Sequence, residues 1–264
     1  WFRKYTEKPA EADTAKLADS YIRIGDCYFV SSKFNDAVLF YGMAADLDTF
    51  DVEYALFQKG FAMGLDKNLT GKISVMTDLL NRYPESSYAA DALFERGKAY
   101  TILDSTQLAI SDFKTLAKNY PNSAYVVKSM LQTGLLYYAD GQNYLAIDNF
   151  KTVIERYPGS SEADEALFAL KNVYVDMNKV DEYFDYAQSR GNLDNVDIAE
   201  RDSLTYTAAE KAYMSGNWTE AAGLFDSYMD KFPTGKFSLN ATYYRGDCNL
   251  KLHSNEQAKN DFLA

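Results

Sequence analysis

Histidine, cysteine and proline are scarce in this sequence, whose 264 residues include one His, two Cys and five Pro. Because His253 stands alone, histidine-based catalysis and metal sites made of several histidines are excluded. Cys27 and Cys248 each follow a Gly-Asp pair and lie far apart, so we expect buried packing residues and no disulfide framework. The chain also lacks a run of about 18 apolar residues, so no direct membrane insertion is expected.

Positive charge is also in short supply, because 38 Asp and Glu outnumber 27 Lys and Arg and give a net charge of −11. A chain this acidic repels phosphate groups, which argues against nucleic acid as a partner and against anionic membrane surfaces. Phosphate-binding loops, dinucleotide fingerprints and serine elbows are absent from the sequence. We therefore expect no cofactor, no metal and no enzymatic activity.

A Tyr-Pro pair recurs at a fixed interval in the middle of the chain. The prolines are Pro84, Pro121 and Pro158, and each step between them is 37 residues. Thirteen residues after the first two prolines come Gly97 and Gly134, each followed three residues later by a tyrosine. The interval indicates an internal structural repeat.

The recurring glycines indicate where two helices approach closely. Gly inside a helix costs about 1 kcal/mol relative to Ala, so its return at one position implies that small size is needed there. We predict that Gly97 and Gly134 mark the crossing of two helices in a hairpin, with Phe113 and Phe150 beside it. The prolines would end the second helices, and the next helices would have serine N-caps: Ser86, Ser123 and Ser160.

The same register extends in both directions and predicts seven helical hairpins, from about Leu17 to Ala264. Lys171 replaces the glycine in the fifth hairpin, so we expect an irregular unit over 159–202 that ends in a polar loop, 191–202. Trp1 to Tyr5 resemble the end of a further helix. Hairpins of this kind bury their apolar faces only by stacking, so residues 1–264 are predicted to form a single solenoid, a fragment of a longer chain.

The order Gly-x-x-Tyr, Ala-x-x-x-Phe, Pro resembles the tetratricopeptide repeat over essentially the whole chain. This resemblance implies an all-α, right-handed superhelical solenoid of stacked antiparallel helical hairpins. The longer period and the Tyr-Pro-x-Ser signature are similar to one branch, that of the outer-membrane-assembly lipoprotein BamD and the periplasmic Tol-Pal-associated cell-division coordinator. The branch implies a non-catalytic scaffold between proteins in a bacterial envelope, in the periplasm, with a cytoplasmic location left open.

In tetratricopeptide proteins the first helix of each hairpin lines a concave groove that binds a peptide or protein segment. Aromatic and apolar residues recur here at single repeat positions of the first helices, and aromatic anchors dominate such interfaces. An alternative is that these rings pack between successive first helices as core. The predicted protein-binding residues are Phe57, Phe61, Phe94, Lys98, Leu131, Leu135, Tyr138, Phe168, Tyr206, Tyr213 and Tyr243.

Two other functions stay open at this point. Stacked helices also build helical toroids that act on glycans, although those use longer and less regular hairpins than a 37-residue step. Glycan capture by SusD-like proteins interrupts the repeats with long loops, and the only candidate here is 191–202. The identity of a protein partner and the oligomeric state do not follow from the sequence.

Overall fold

A computed structural model describes residues 6, 13–190 and 198–264. Helices are the only regular secondary structure in these ranges, and there are fourteen of them. They are α1 (Thr14–Val30), α2 (Phe34–Asp46), α3 (Val52–Leu65), α4 (Leu69–Arg82), α5 (Ala89–Ile102), α6 (Thr106–Asn119), α7 (Val126–Ala139), α8 (Asn143–Arg156), α9 (Ser161–Asp176), α10 (Val180–Ser189), α11 (Ile198–Met214), α12 (Trp218–Lys231), α13 (Ser238–Lys251) and α14 (Asn255–Leu263).

The chain divides into two compact units, Trp1–Asp140 and Gly141–Ala264. In unit 1, each of the helices α1 to α6 packs on the next one along the chain. In unit 2, α8 to α14 do the same, and α9 also contacts α11 directly. The all-α stack of hairpins is thereby confirmed within each unit. The single solenoid over 1–264 and its right-handed turn stay predictions.

The predicted glycine crossing is present in four hairpins. In each, a glycine of the first helix lies against the side chain sixteen residues later, on the second helix. A Cβ atom at Gly97 would lie 2.7 Å from the ring of Phe113, and one at Gly246 would lie 2.9 Å from the ring of Phe262. The same relation joins Gly25 to Tyr41 and Gly60 to Met76. In each hairpin the side chain on the second helix therefore occupies the volume that a side chain on the glycine would take.

The fifth hairpin, α9–α10, has a large residue at the glycine position and a small residue opposite it. Lys171 occupies the glycine position, and the residue sixteen positions later is Ala187, which is buried. The lysine side chain instead lies over the ring of Phe168, with Nζ 5.4 Å from its centroid, and contacts Glu200 at 3.1 Å. Helix α10 has only ten residues, whereas α4, α6, α8 and α12 have fourteen. The hairpin is thus shorter and lacks the glycine-on-ring contact.

The predicted polar loop 191–202 is wrong for its last five residues, which form the first part of α11. Asp202 is buried there because its carboxylate accepts a hydrogen bond from the backbone N–H of Lys236 at 2.7 Å and another from the hydroxyl of Tyr228. The residue is therefore a buried anchor and not a solvated loop residue. Residues 191–197 and the proposed helix end at 1–5 lie outside the described residues.

The predicted serine N-caps are correct only once. Ser160 caps α9, and its hydroxyl accepts a hydrogen bond from the N–H of Ala163 at 3.1 Å. Helices α5 and α7 begin later, with Tyr88 and Tyr125 at the N-cap position. The hydroxyls of the preceding serines accept from the N–H groups of those tyrosines instead, which fixes a turn. The aromatic residue is thus held at the start of the helix.

The turn within every hairpin contains one residue with a positive φ angle at the same repeat position. Only two of these seven residues are glycines, so the position could not be found from glycine alone. The sole histidine belongs to this set, and no further role for it emerges. The seven are Ser32, Lys67, Asp104, Gly141, Asn178, Gly216 and His253.

Gly97→Ala should destabilise the protein, because the new methyl group would overlap the ring of Phe113. Overpacking of this kind costs about 1–3 kcal/mol, well above the gain from the better helix former. Gly223→Ala is the matched control: it also lies inside a helix, and its Cβ would meet nothing within 4 Å. Urea midpoints measured by circular dichroism should fall for the first variant and hold or rise for the second. Equal midpoints would contradict the crossing.

Candidate functional site

Three first helices are joined to the next hairpin by a stacked pair of aromatic rings. Phe57 stacks on Tyr88 at 5.3 Å between ring centroids, and Phe94 stacks on Tyr125 at 4.5 Å. Tyr206 stacks on Phe237 in the same way, also at 4.5 Å. The second ring always comes 31 residues after the first, at the N-cap of the following first helix. We call these pairs the ring staples.

The predicted groove residues include buried, half-buried and exposed members. Phe94, Leu131 and Tyr206 are buried, with 8%, 3% and 4% of their surfaces exposed. Phe57, Phe61, Leu135, Tyr138 and Tyr213 are half-buried, and Lys98 is exposed. Phe168 and Tyr243 are exposed by 61% and 57%. For Phe168 the cause is local, since the residue 31 positions on is Ala199 and not an aromatic.

Carboxylates fix several of the tyrosines. Asp26 on α1 accepts hydrogen bonds from the hydroxyls of Tyr41 and Tyr54, both at 2.9 Å, which ties the first hairpin to α3. Burial and the bond to Asp26 raise the pKa of Tyr54 to about 12. At the repeat position of Asp26 in the last hairpin, Asp247 accepts from Tyr213 at 2.6 Å. These hydroxyls stay protonated at neutral pH and act as donors.

A buried ion-pair cluster joins the second hairpin to the third. Lys72 on α4 contacts Glu95 on α5, with 7% and 11% of their side chains exposed, and Lys98 contacts the other carboxylate oxygen at 3.0 Å. Gly64 makes room for Lys72, because a Cβ there would lie 2.8 Å from the lysine Cδ. Burial disfavours ionised Glu95, but the hydrogen bond and charge of Lys72, aided by Lys98, outweigh it and lower its pKa.

The structure reveals exposed aliphatic residues that the sequence analysis overlooked. Val30, Leu65 and Ile102 are the last residues of α1, α3 and α5, and they are exposed by 84%, 46% and 64%. They occupy one repeat position, one residue beyond the position of Tyr138 and Tyr213. We call them the apolar row. An alignment of the repeats at this position shows three aliphatic residues in three successive hairpins.

Neighbouring hairpins place the apolar row on one surface of unit 1. The rings of Phe29 and Phe61 lie 6.0 Å apart and join the ends of α1 and α3. The Lys72–Glu95 pair and a direct helix contact join α3–α4 to α5. Since equivalent positions of stacked repeats line up, Val30, Leu65 and Ile102 follow one line. The same position holds Ala139 at the end of unit 1 and Asp176, Met214 and Lys251 in unit 2, so branched aliphatic residues occupy it only in the first three hairpins.

In unit 2, ion pairs join α9–α10 to α11–α12. Besides the pair of Lys171 and Glu200, Arg201 contacts Asp181, and Lys211 contacts Asp176. Asp181 also accepts a hydrogen bond from Lys231 at 2.6 Å. This bond and the one from Arg201 lower the pKa of Asp181. All of these side chains are partly exposed to solvent. Charge thus stands at this junction, whereas three other junctions have a ring staple.

Each buried acid in the described part of the chain has a structural partner. Glu95 is paired with Lys72, and Asp112 makes two hydrogen bonds with the guanidinium of Arg96, at 2.7 and 2.8 Å. Asp202 and Asp261 are held by Tyr228 and Arg245. Across the described ranges, no group of three metal-ligating side chains comes together, and no helix has the length and apolar character needed to cross a bilayer.

Solved structures with the same architecture identify the fold. A tetratricopeptide repeat protein from Parabacteroides merdae is 19% identical, covers 93% of this chain and 90% of its own, and superposes with a TM-score of 0.55. MamA from Desulfovibrio magneticus RS-1 is 17% identical, covers 70% of this chain and 99% of its own, with a TM-score of 0.53. The chain has the tetratricopeptide-repeat fold.

Part of this tetratricopeptide-repeat chain also matches a family model. Residues 93–195 match the family YfiO, described as an outer membrane lipoprotein. The match runs from α5 to beyond α10 and includes Lys98, Ile102 and Phe168. No curated protein matches the sequence. The resemblance to the BamD branch therefore has support over this segment.

Phe94→Ala should lower stability by about 3–5 kcal/mol, because it removes a buried ring from both the core and a ring staple. Tyr125→Ala should cost less, and the double variant should cost less than the sum of the two. A coupling energy of about 0.5–1.5 kcal/mol is expected from the stacked pair. Denaturant unfolding of the four proteins gives this value. The unpaired Phe168→Ala is the control and should change stability little; a zero coupling energy would reject the staple.

Glu95→Gln should destabilise the protein by about 3 kcal/mol, because Lys72 would remain buried without a counter-charge. The double variant Lys72→Met/Glu95→Gln should recover most of this loss. The folded-state pKa of Glu95 lies below its unfolded value, so its stabilisation is present above the unfolded pKa and lost as the pH falls through the folded pKa. Unfolding of wild type should therefore lose stability below about pH 4.5 more steeply than that of the double variant. Parallel pH profiles would contradict the assignment.

Proposed function

We propose that the protein is a non-catalytic scaffold that binds a peptide or protein segment on the inner face of its first helices. The observation that carries the proposal is the apolar row, whose three aliphatic side chains are exposed at one repeat position. Exposed apolar surface organised in this way is characteristic of protein-interaction sites. Unit 1 adds half-buried rings beside the row, Phe57 and Phe61, which stack on each other at 6.0 Å.

The proposed binding residues include members of the predicted groove set and of the row. Phe61, Lys98, Leu135 and Tyr138 remain candidates because each has accessible surface on unit 1. Phe168, Tyr213 and Tyr243 are the accessible candidates in unit 2, whereas Phe94, Leu131 and Tyr206 act mainly in packing. The proposal excludes nucleic acid as a partner, because a net charge of −11 opposes phosphate binding.

We further propose that this scaffold works in a bacterial envelope, in the periplasm or at the outer membrane. The support is the match of residues 93–195 to a family described as an outer membrane lipoprotein. Assembly of other envelope proteins is the role that this family likeness favours. The alternatives that involve glycans gain no support from the buried acids, each of which has a structural partner.

Ile102→Asp and Leu65→Asp should abolish partner binding and leave the fold intact, since both side chains are exposed and a charge there interrupts the apolar row. A photo-crosslinking amino acid at position 102 would first mark partners in an envelope extract. Binding of the marked protein to purified variants would then be measured by biolayer interferometry, with a loss of at least tenfold expected.

Leu108→Asp is the matched control, because it makes the same chemical change away from the row. Leu108 is 52% exposed and lies on α6, a second helix. It should keep wild-type affinity. If Leu108→Asp weakens binding as much as Ile102→Asp does, or if neither variant affects it, the apolar row is not the binding surface.

A further inference from the structure

We propose that the partner segment bound by the apolar row is aliphatic and carries an acidic side chain that pairs with Lys98. This inference rests on the proposed function and adds the chemistry of the partner. Its starting point is the placement of Lys98 on α5, four residues before Ile102 and therefore on the same face of the helix. Helix α3 repeats the arrangement with Phe61 and Leu65, so one helix offers two apolar groups and the next offers a cation and an apolar group.

Lys98 is the member of its cluster whose charge reaches the surface. Its side chain is 48% exposed, whereas Lys72 and Glu95 are 7% and 11% exposed. Glu95 contacts a lysine with each of its two oxygens, so the buried carboxylate is already compensated by Lys72 before Lys98 is counted. An ammonium group has three donors, and the contact with Glu95 at 3.0 Å uses one of them. Two donors remain for another acceptor.

The charged groups around Lys98 balance one another. Asp91, two turns earlier on α5, is partly buried, and burial followed by the charge of Glu95 raises its pKa. The four groups Asp91, Glu95, Lys72 and Lys98 together carry no excess of negative charge, although the chain as a whole does. Most of that excess lies in unit 2. Because charges beyond about 8 Å are screened at physiological salt, the contact at Lys98 decides the local preference.

The apolar neighbours strengthen the same contact. The ammonium of Lys98 lies 5.6 Å from the ring centroid of Phe94, one turn earlier on α5. A carboxylate paired with it would lie beside this ring, where the local dielectric constant is lower than in water and the attraction is larger. An amide or a lysine at this point of the segment would lose that attraction.

The test uses a phage-displayed library of random dodecapeptides, with the peptide C-terminus fused to the coat protein so that no terminal carboxylate is free. Selections are run on wild type, Lys98→Glu and Lys98→Met. Lys114→Glu on α6 is the control for the change of charge, since that lysine is exposed on a second helix. Melting curves of all four proteins verify that each variant is folded.

Selection on wild type and on Lys114→Glu should yield aliphatic peptides that contain Asp or Glu. Selection on Lys98→Glu should yield aliphatic peptides that contain Lys or Arg. For a synthetic peptide from the wild-type selection, replacing its Glu by Gln should weaken binding about tenfold in fluorescence anisotropy, and by Lys still more. On Lys98→Met the Glu and Gln peptides should bind equally. If Lys98→Glu still selects acidic peptides, or if wild type shows no preference for charge, the inference is overturned.

The outcome also separates this inference from the proposed function. Peptides that lose binding on Ile102→Asp but ignore every change at Lys98 would retain the apolar row as a binding surface and reject the acidic contact. A library that yields no peptide dependent on Ile102 would reject the binding surface, and the acidic contact with it.

Discussion

The contact between a glycine and the side chain sixteen residues later is the constraint on which four of the hairpins depend. At Gly97 the ring of Phe113 occupies the space of the missing side chain, and the two helices can approach until the ring touches the backbone. That approach fixes which residues of the first helix face its partner and which face the neighbouring hairpin. The stapled rings of Phe57 and Phe94 stand three residues before this glycine, and the exposed row stands five residues after it.

The sequence predicted the stack well because its signals are repeated and local. The proline returns every 37 residues from Pro84 to Pro158, and Gly60, Gly97 and Gly134 keep the same step, so neighbouring hairpins confirm one register. The N-caps were harder to predict, because a tyrosine at the start of α5 is held by stacking on Phe57, a contact that depends on the neighbouring hairpin. Asp202 reads as part of a polar loop, and only the approach of Tyr228 and the backbone of Lys236 explains its burial.

The candidate site could be predicted in part only. Aromatic residues at one repeat position suggested a groove, but an aromatic residue 31 positions later determines whether each ring is covered or open. That second ring is visible in the sequence once its offset is known, and its absence at Ala199 marks Phe168 as exposed. The apolar row lies one residue beyond the repeat position of Tyr138 and Tyr213. The periodicity therefore located the surface, while the burial of each side chain came from packing between hairpins.

The junction between α9–α10 and α11–α12 relies on charge in place of a ring staple, and this difference has a consequence for cooperativity. In a linear array, each hairpin is stabilised by its nearest neighbours, so the weakest junction determines where the array separates into independently unfolding parts. Aromatic stacking is insensitive to ionic strength, whereas the partly exposed pairs of Lys171, Arg201 and Lys211 are screened by salt. Higher ionic strength would thus weaken the ion pairs at this junction more than a ring staple, so the coupling between α9–α10 and α11–α12 would depend on the surrounding solution.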